Sequence, residues 1–556
     1  MEDVTARVAA GESAADIASE ASQQGLVASV EPIYYGNQYV LYVYEVFSDV
    51  RLVAAPPASI GMYGNDTDCW FWPRHTCDFA ILRVYADKDN RAAKYSASNR
   101  PYRPAYHFTI STKGVYEGDF AMVYGNPNNT QEYVTSHAVE YIAEVANPMK
   151  IALREKRLAI IDAAISESEP LRQTLAASRS SLSKVLRRWQ GEMMGLRGAD
   201  VVAKSRQYES RFAEWAKSRP EYSSLLDSMA AAYAEVAPEY FVRELYTESV
   251  GAVSIFNFAR TLGLSAQSAK STDESIAKQI AKFQSSYNRT VDEPLAAVML
   301  EEFLQRMPAE RIPAGMKQRV AQMGGAEEFV EWLFANTAIL KSSPATKQQI
   351  NSDAMVEFAM AFAPIVEHNR KYAYSALSRV PAIERWYGPY MRALQEWDTA
   401  RDFYPDANKS LRVGYGKVEG YKSADGKRYA PFATIDDVIE RASSDVPDHK
   451  VPEQLIEAIK ADGYGRWGAR VDGQKSLPVC FMATVHTSGG SSGSPMLNAR
   501  GELVGINFHR IWHTAMSDVE FDPSVCRNVA VDIRYVLLVV ERVGGVGYLL
   551  EEMDLR

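Results

Sequence analysis

The chain has 556 residues, more than one ordinary domain needs and enough for two or three hydrophobic cores. A formal net charge of -9 argues against nucleic acid as a partner, because phosphate binding needs a basic footprint. No apolar run is long enough to cross a bilayer.

The opening stretch, MEDVTARVAAGESAADIASEASQQG, reads as a helical lead-in over residues 1–30. It lacks the basic start and apolar stretch of a secretory signal, and it is expected to be cut from something longer. Residues 31–145 have strand character: YVLYVYEVF, DFAILRVYA and DFAMVYG are short, rich in Val, Tyr and Phe, and bounded by Gly, Asn and Pro. Residues 146–410 change period. KIALREKRLAIIDAAI, SSLSKVLRRWQGEMMGL and EEFVEWLFANTAIL carry apolar residues at spacings of three and four, with breaks expected at Pro220, Pro238, Pro294 and Pro313. Residues 411–473 read as a Gly-, Asp- and Lys-rich connector with one helix, PEQLIEAIK. Residues 474–556 return to strands, in LPVCFMATV, LVGINF and VAVDIRYVLLVV. The expected architecture is α+β, a β structure interrupted by a large helical insertion, whose two β parts share a core.

The loop Gly489-Gly490-Ser491-Ser492-Gly493-Ser494-Pro495 sits between two strand-like runs. Its glycines permit backbone shapes that aim amide N–H groups inward, as an acyl-transfer site requires. Gly-x-Ser-Gly-Ser-Pro before a strand is the pattern of chymotrypsin-like peptidases. The α/β-hydrolase elbow needs Gly two residues after the serine, where this chain has Ser494. Ser492 is the candidate nucleophile, with the amides of Gly490 and Ser492 as oxyanion donors; a Gly/Ser-rich hairpin without chemistry is the plain alternative. In the same template the catalytic Asp opens a strand of the form Asp-apolar-Ala-apolar-apolar-Arg, which Asp78 to Arg83 match.

The four cysteines lack zinc-ligand spacing. Cys69 and Cys77 are close enough in sequence to pair, although free thiols are the simpler reading in a chain of this size. No cofactor and no metal are expected.

Longer motifs add a family. NDTDCWFWPRHTCDFAILRVYADKDNRAA (65–93), YYGNQYVLYVYEVFSDVRLVAAPPASIG (34–61), the serine loop and VAVDIRYVLLVV (529–540) resemble the bacterial dipeptidyl-peptidase 7 and dipeptidyl-peptidase 11 family. The resemblance runs through almost the whole chain. It implies a chymotrypsin-like double β-barrel, its first part incomplete here, with a helical domain inserted over the active site. It implies a serine peptidase that removes dipeptides from free peptide N-termini at the periplasm or cell surface, and it allows a homodimer. It assigns Asp78 and Ser492 to the catalytic machinery.

The resemblance also marks departures. The family's catalytic His lies well upstream of the aspartate, in a first β segment that this chain does not match. His75 stands three residues before Asp78, inside the turn. His486 stands six before Ser492, about 20 Å away along an extended chain. The base is therefore expected to be absent from this chain, leaving Ser492 a poor nucleophile. Family positions that bind the substrate also change. Trp70 is kept, but its Asn neighbour is Cys69; an Asn of the helical domain is Lys184; an Asp after Asn507-Phe508 is His509. Lys184 would repel a substrate ammonium. Arg510 matches the arginine of the acid-specific enzymes, and a guanidinium there would select Asp or Glu side chains. The expected function is a dipeptidyl-peptidase-like protein with acidic preference, inactive for want of its His. A non-catalytic homologue that binds peptides or a partner is the alternative, and a truncated product without function is a third.

Overall fold

The computed structural model describes every residue except 23, 24, 424, 425 and 472. The chain divides into two compact units. The first holds residues 1–134, 194–201 and 387–556; the second holds 135–193 and 202–386. The stretch 411–473 belongs with the strands of the first unit.

Eleven strands of the first unit matter for the site: β1 (Leu26–Ile33), β2 (Gln38–Glu45), β3 (Val50–Ala54), β4 (Ile81–Ala86), β5 (Phe120–Gly125), β6 (Arg412–Lys417), β7 (Phe432–Thr434), β8 (Pro478–Ala483), β9 (Pro495–Leu497), β10 (Leu503–Arg510) and β11 (Asn528–Asp532). β1 pairs with β2, and β3 with β4, both antiparallel. The main sheet runs β7-β8-β11-β10-β9-β5-β6, and every neighbouring pair is antiparallel. Just past β6, Val418 bridges Ala483 at the end of β8, and the Glu419 N–H donates to Met482 O at 3.2 Å. The sixth strand of the run beginning at β8 thus returns to the first.

The pleat explains why β8 is buried along its whole length. Phe481, Ala483 and Val485 meet Val123, Met496, Val504 and Ala530 on one face. Cys480 and Met482 meet Val529, Val531 and Tyr535 on the other. A strand buried on both faces reads as a continuous apolar run.

One expected strand is corrected. VAVDIRYVLLVV is strand only through Asp532; Ile533–Arg542 is α-helix. Asp532 is its N-cap, accepting from the Arg534 N–H at 2.9 Å. Residues 533–540 are all buried, so no polar face marks a helical period in the sequence. The helix expected at PEQLIEAIK is present as Glu453–Asp462.

The second unit is helical, with a core that includes Leu153, Leu245, Phe256, Phe303, Phe329 and Phe358. Pro220 and Pro313 fall between helices, as expected. Pro238 and Pro294 do not break theirs: they lie inside Leu225–Glu248 and Arg289–Arg306. Each removes one N–H donor and crowds the carbonyl four residues back. Buried neighbours on both sides, Val236 and Tyr240 in one helix and Val291 and Leu295 in the other, hold the helices through that cost. No helix among the described residues is long and apolar enough to cross a membrane.

Candidate active site

The serine loop leaves β8 and enters β9, and β10 anchors it. The Gly493 N–H donates to Asn507 O at 2.7 Å, and the Asn507 N–H to Ser494 O at 3.0 Å. The Asn507 side chain donates to Ser491 O at 3.0 Å and accepts from Asn528 at 2.8 Å. Nothing in the sequence motif singled out Asn507 as the clamp of this loop. Gly490 has φ +93°, and a Cβ there would lie 2.8 Å from Asn126 O and Asn128 N. Only glycine fits that turn without strain. The N–H groups of Gly490 and Ser492 donate to no group among the described residues, which leaves them available to an oxyanion.

Ser492 is exposed, and its Oγ donates to Phe508 O at 3.2 Å. The Phe508 ring faces the Arg74 guanidinium at 5.7 Å. Arg74 belongs to the turn that ends at Asp78, so this turn and the serine loop meet at one β10 residue. The turn is pinned further: the Cys77 N–H donates to Ile60 O at 3.1 Å, and the Cys480 thiol of β8 to Thr76 O at 3.4 Å. Asp78 itself is exposed, three residues before β4 begins at Ile81.

None of the eight histidines bonds to Ser492 among the described residues. His75 is buried, with Nδ1 3.2 Å from Arg441 Nη1 and Nε2 3.5 Å from Asp437 Oδ2. A guanidinium can only donate, so Nδ1 accepts and the proton sits on Nε2, toward Asp437. His75 therefore fastens the turn to the helix Ile435–Ala442. The His486 Nε2 donates to Ser517 O at 2.8 Å, and its ring stacks on Phe521 at 4.4 Å. Burial lowers its pKa to about 4. Its neighbour Glu132, 3.5 Å away, is pushed the other way: burial raises that carboxyl well above the usual range.

Two of the departures from the family pattern meet in space. The Cys69 Sγ lies 3.8 Å from His509 Nε2, and the Trp70 ring meets the His509 ring edge-on at 4.7 Å. Trp70 has φ +71° and is buried beside Cys69 and Ala515. None of the four cysteines forms a disulfide among the described residues, and all four are buried. Lys184 is exposed on the helix Glu169–Gly198, in the helical unit.

Arg510, at the end of β10, is buried. Its Nη1 donates to Thr487 O at 3.2 Å, Ser517 Oγ at 2.8 Å and Asp518 Oδ1 at 2.7 Å. Its guanidinium lies 5.8 Å from the Trp70 ring. Asp518 was not legible as its partner, because the pairing depends on the 3-10 turn Trp512–Asp518 that folds back after β10.

The Peptidase S46 family profile matches residues 2–555. The chain is 36% identical over 546 residues to the Asp/Glu-specific dipeptidyl-peptidase of Capnocytophaga gingivalis, covering 95% of this chain and 76% of that protein. It is 31% identical to dipeptidyl-peptidase 7 of Porphyromonas gingivalis, covering 96% and 76%. The crystal structure of Porphyromonas endodontalis DPP11 superposes with a TM-score of 0.90 at 30% identity, over 100% of this chain and 84% of that one. The same enzyme has been solved with the dipeptide Arg-Asp, and that complex superposes at 0.85 with 29% identity over the same shares. This chain belongs to the Peptidase S46 family of serine dipeptidyl-peptidases.

Proposed function

We propose that this chain carries the serine and the aspartate of a chymotrypsin-like dipeptidyl-peptidase site, and that its first pocket prefers Asp or Glu side chains. In this reading Ser492 Oγ attacks the carbonyl after the second residue of a peptide. The Gly490 and Ser492 N–H groups hold the oxyanion, and Asp78 orients an imidazole. Arg510 pairs with the acidic side chain, and Trp70 forms a wall beside it. The strands that return from β6 to β8 are one barrel of the double-barrel architecture. The observation that carries the proposal is the placement of Ser492 on Phe508, two residues along β10 from Arg510. Nucleophile and acid-selecting cation then sit on neighbouring sheet positions. Similar proteins of Capnocytophaga gingivalis, Flavobacterium psychrophilum and Porphyromonas gingivalis are Asp/Glu-specific dipeptidyl-peptidases, which supports the acidic preference. Periplasmic or cell-surface localisation follows from the same kinship.

Turnover by this chain alone is proposed to be very low. The group that receives the Ser492 hydroxyl proton is a peptide carbonyl, far too weak a base to accept it in a reaction. A second reading, a peptide-binding homologue without catalysis, is favoured by one observation: Cys69 and His509 face each other where the family holds a substrate ammonium.

The test is an assay of the purified chain on fluorogenic dipeptides with acidic and apolar second residues, beside calorimetric binding of the free dipeptides. Ser492-dependent turnover selective for acidic residues supports the enzyme reading. Acid-selective binding without turnover supports the proposed site in a chain short of its base. Absence of acid selectivity in both assays overturns the proposal.

A further inference from the structure

The helical unit contains a cavity of about 520 Å³, remote in sequence from the serine loop and lined by residues between 154 and 295. The space equals on the order of 15 waters at about 30 Å³ each, and falls in the roughly 300–1,000 Å³ range of small-molecule sites.

Its charged wall is unevenly matched. Glu248 accepts from Arg154 Nε at 2.9 Å and Nη2 at 2.8 Å, and also from Arg157 Nη1 at 3.1 Å. One carboxylate therefore serves two guanidiniums, and the trio keeps a net positive charge. Arg154 is further fixed by the Trp189 ring at 4.3 Å. Arg157 Nε is buried and meets no acceptor among the described residues. A buried donor without a partner bears its full desolvation penalty. Burial lowers the Arg157 pKa despite Glu248, as expected of a guanidinium short of compensation.

The other acid in the wall does not supply that compensation. Asp292 accepts from the Ser254 and Ile255 N–H groups at 3.0 and 2.8 Å, and from Tyr287 OH at 3.1 Å. Its oxygens are taken up by these neutral donors at the N-terminus of the helix Ser254–Gln267, and burial raises its pKa, so it offers Arg157 no acceptor. Part of the lining is apolar: Ile161, one helical turn from Arg157, packs with Leu182 and Val291 as one cluster.

We propose that this cavity is a binding site for a small organic anion, with Arg157 gripping a carboxylate or phosphate head group and the apolar wall taking its body. The head group would meet Arg157 where its side chain lines the cavity, since Nε itself is sealed from that space. An anion also balances the charge that Glu248 leaves over.

Isothermal titration of the full chain tests this with phenyl phosphate, phenylacetate, inorganic phosphate and benzyl alcohol. Saturable binding is expected for the two aromatic anions, stronger than for benzyl alcohol or inorganic phosphate. Whichever of the two binds tighter identifies the head group. Arg157→Met should weaken that binding by on the order of tenfold or more, the scale of a charge-assisted hydrogen bond. Arg510→Met, confirmed folded by circular dichroism because it leaves Asp518 buried without its partner, should leave that binding unchanged, which separates this cavity from the serine site. Should Arg157→Met fold poorly, Ser178→Trp, at the exposed rim of the cavity and outside the ion trio, obstructs entry and should weaken binding. Equal binding of benzyl alcohol, or anion binding that survives both Arg157→Met and Ser178→Trp, overturns the proposal. So does binding lost in Arg510→Met.

Discussion

Arg510 and Asp518 form a buried two-point pair: Nη1 lies 2.7 Å from Oδ1 and Nη2 3.3 Å from Oδ2, with side chains 7% and 9% exposed. The cation proposed to select acidic substrates is thus already clamped by a carboxylate. Clamping fixes its direction at a cost in net charge. Asp518→Ala should lower stability by about 3–5 kcal/mol, because it leaves a guanidinium buried and uncompensated. Urea unfolding measures this. Arg510→Met should weaken acidic dipeptides by roughly tenfold and spare apolar ones. Unchanged affinity for both classes would remove Arg510 from the pocket.

The contact between Cys69 and His509 bears on the proposed site for a free amino terminus. Neither a thiol nor an imidazole offers the anionic acceptor that an ammonium prefers. Calorimetry should therefore find similar affinity for a dipeptide and its N-acetyl form. The double change Cys69→Asn and His509→Asp should restore a preference for the free amine of roughly tenfold or more, the scale of a charged hydrogen bond. A strong preference in the parent chain would contradict this account.

That no imidazole bonds to Ser492 among the described residues should be visible in kinetics. Loss of a triad member costs on the order of 10⁴–10⁶ in rate. The parent and Ser492→Ala should then show the same background on dipeptidyl substrates, and His486→Ala should change nothing. Turnover that disappears with Ser492→Ala would mean a base reaches the serine after all.

The pH dependence of stability should carry the signature of His486. Its pKa in the fold is about 4, below the unfolded value of 6.5, because burial disfavours the charged ring. The unfolded chain binds the proton first as pH falls. Stability is therefore full above pH 6.5 and declines toward pH 4, by on the order of 3 kcal/mol. Glu132, Asp518 and Arg510 face the same ring. Glu132→Gln as the background removes the overlapping carboxyl titration. Replacing His486 by Phe in that background should flatten this limb in denaturant midpoints measured from pH 4 to 7.

Leu52 and Leu82 are cross-strand partners of β3 and β4 and are 69% and 58% exposed. An exposed apolar pair on a short sheet invites association. Light scattering should show concentration-dependent assembly that falls when both become Lys. Identical scattering from parent and variant would show that this face does not drive assembly.

The sequence by itself determined the short strands, the helical middle region, the serine loop and the family. Each rests on local information: strand and helix periods, glycines where the backbone turns tightly, and long motifs around Asp78 and Ser492. It did not reveal the helix Ile533–Arg542, because burial on every side erases the polar face that marks a helical period. Nor did it show that Pro238 and Pro294 sit within helices, since packing of flanking residues outweighs the lost hydrogen bond. Only the tertiary structure decided which groups meet: Asp518 on Arg510, Cys69 on His509, and Ser492 and the Arg74 turn on Phe508. These contacts join segments far apart in the chain or folded back by a turn, so their geometry is set by how the strands stack and return.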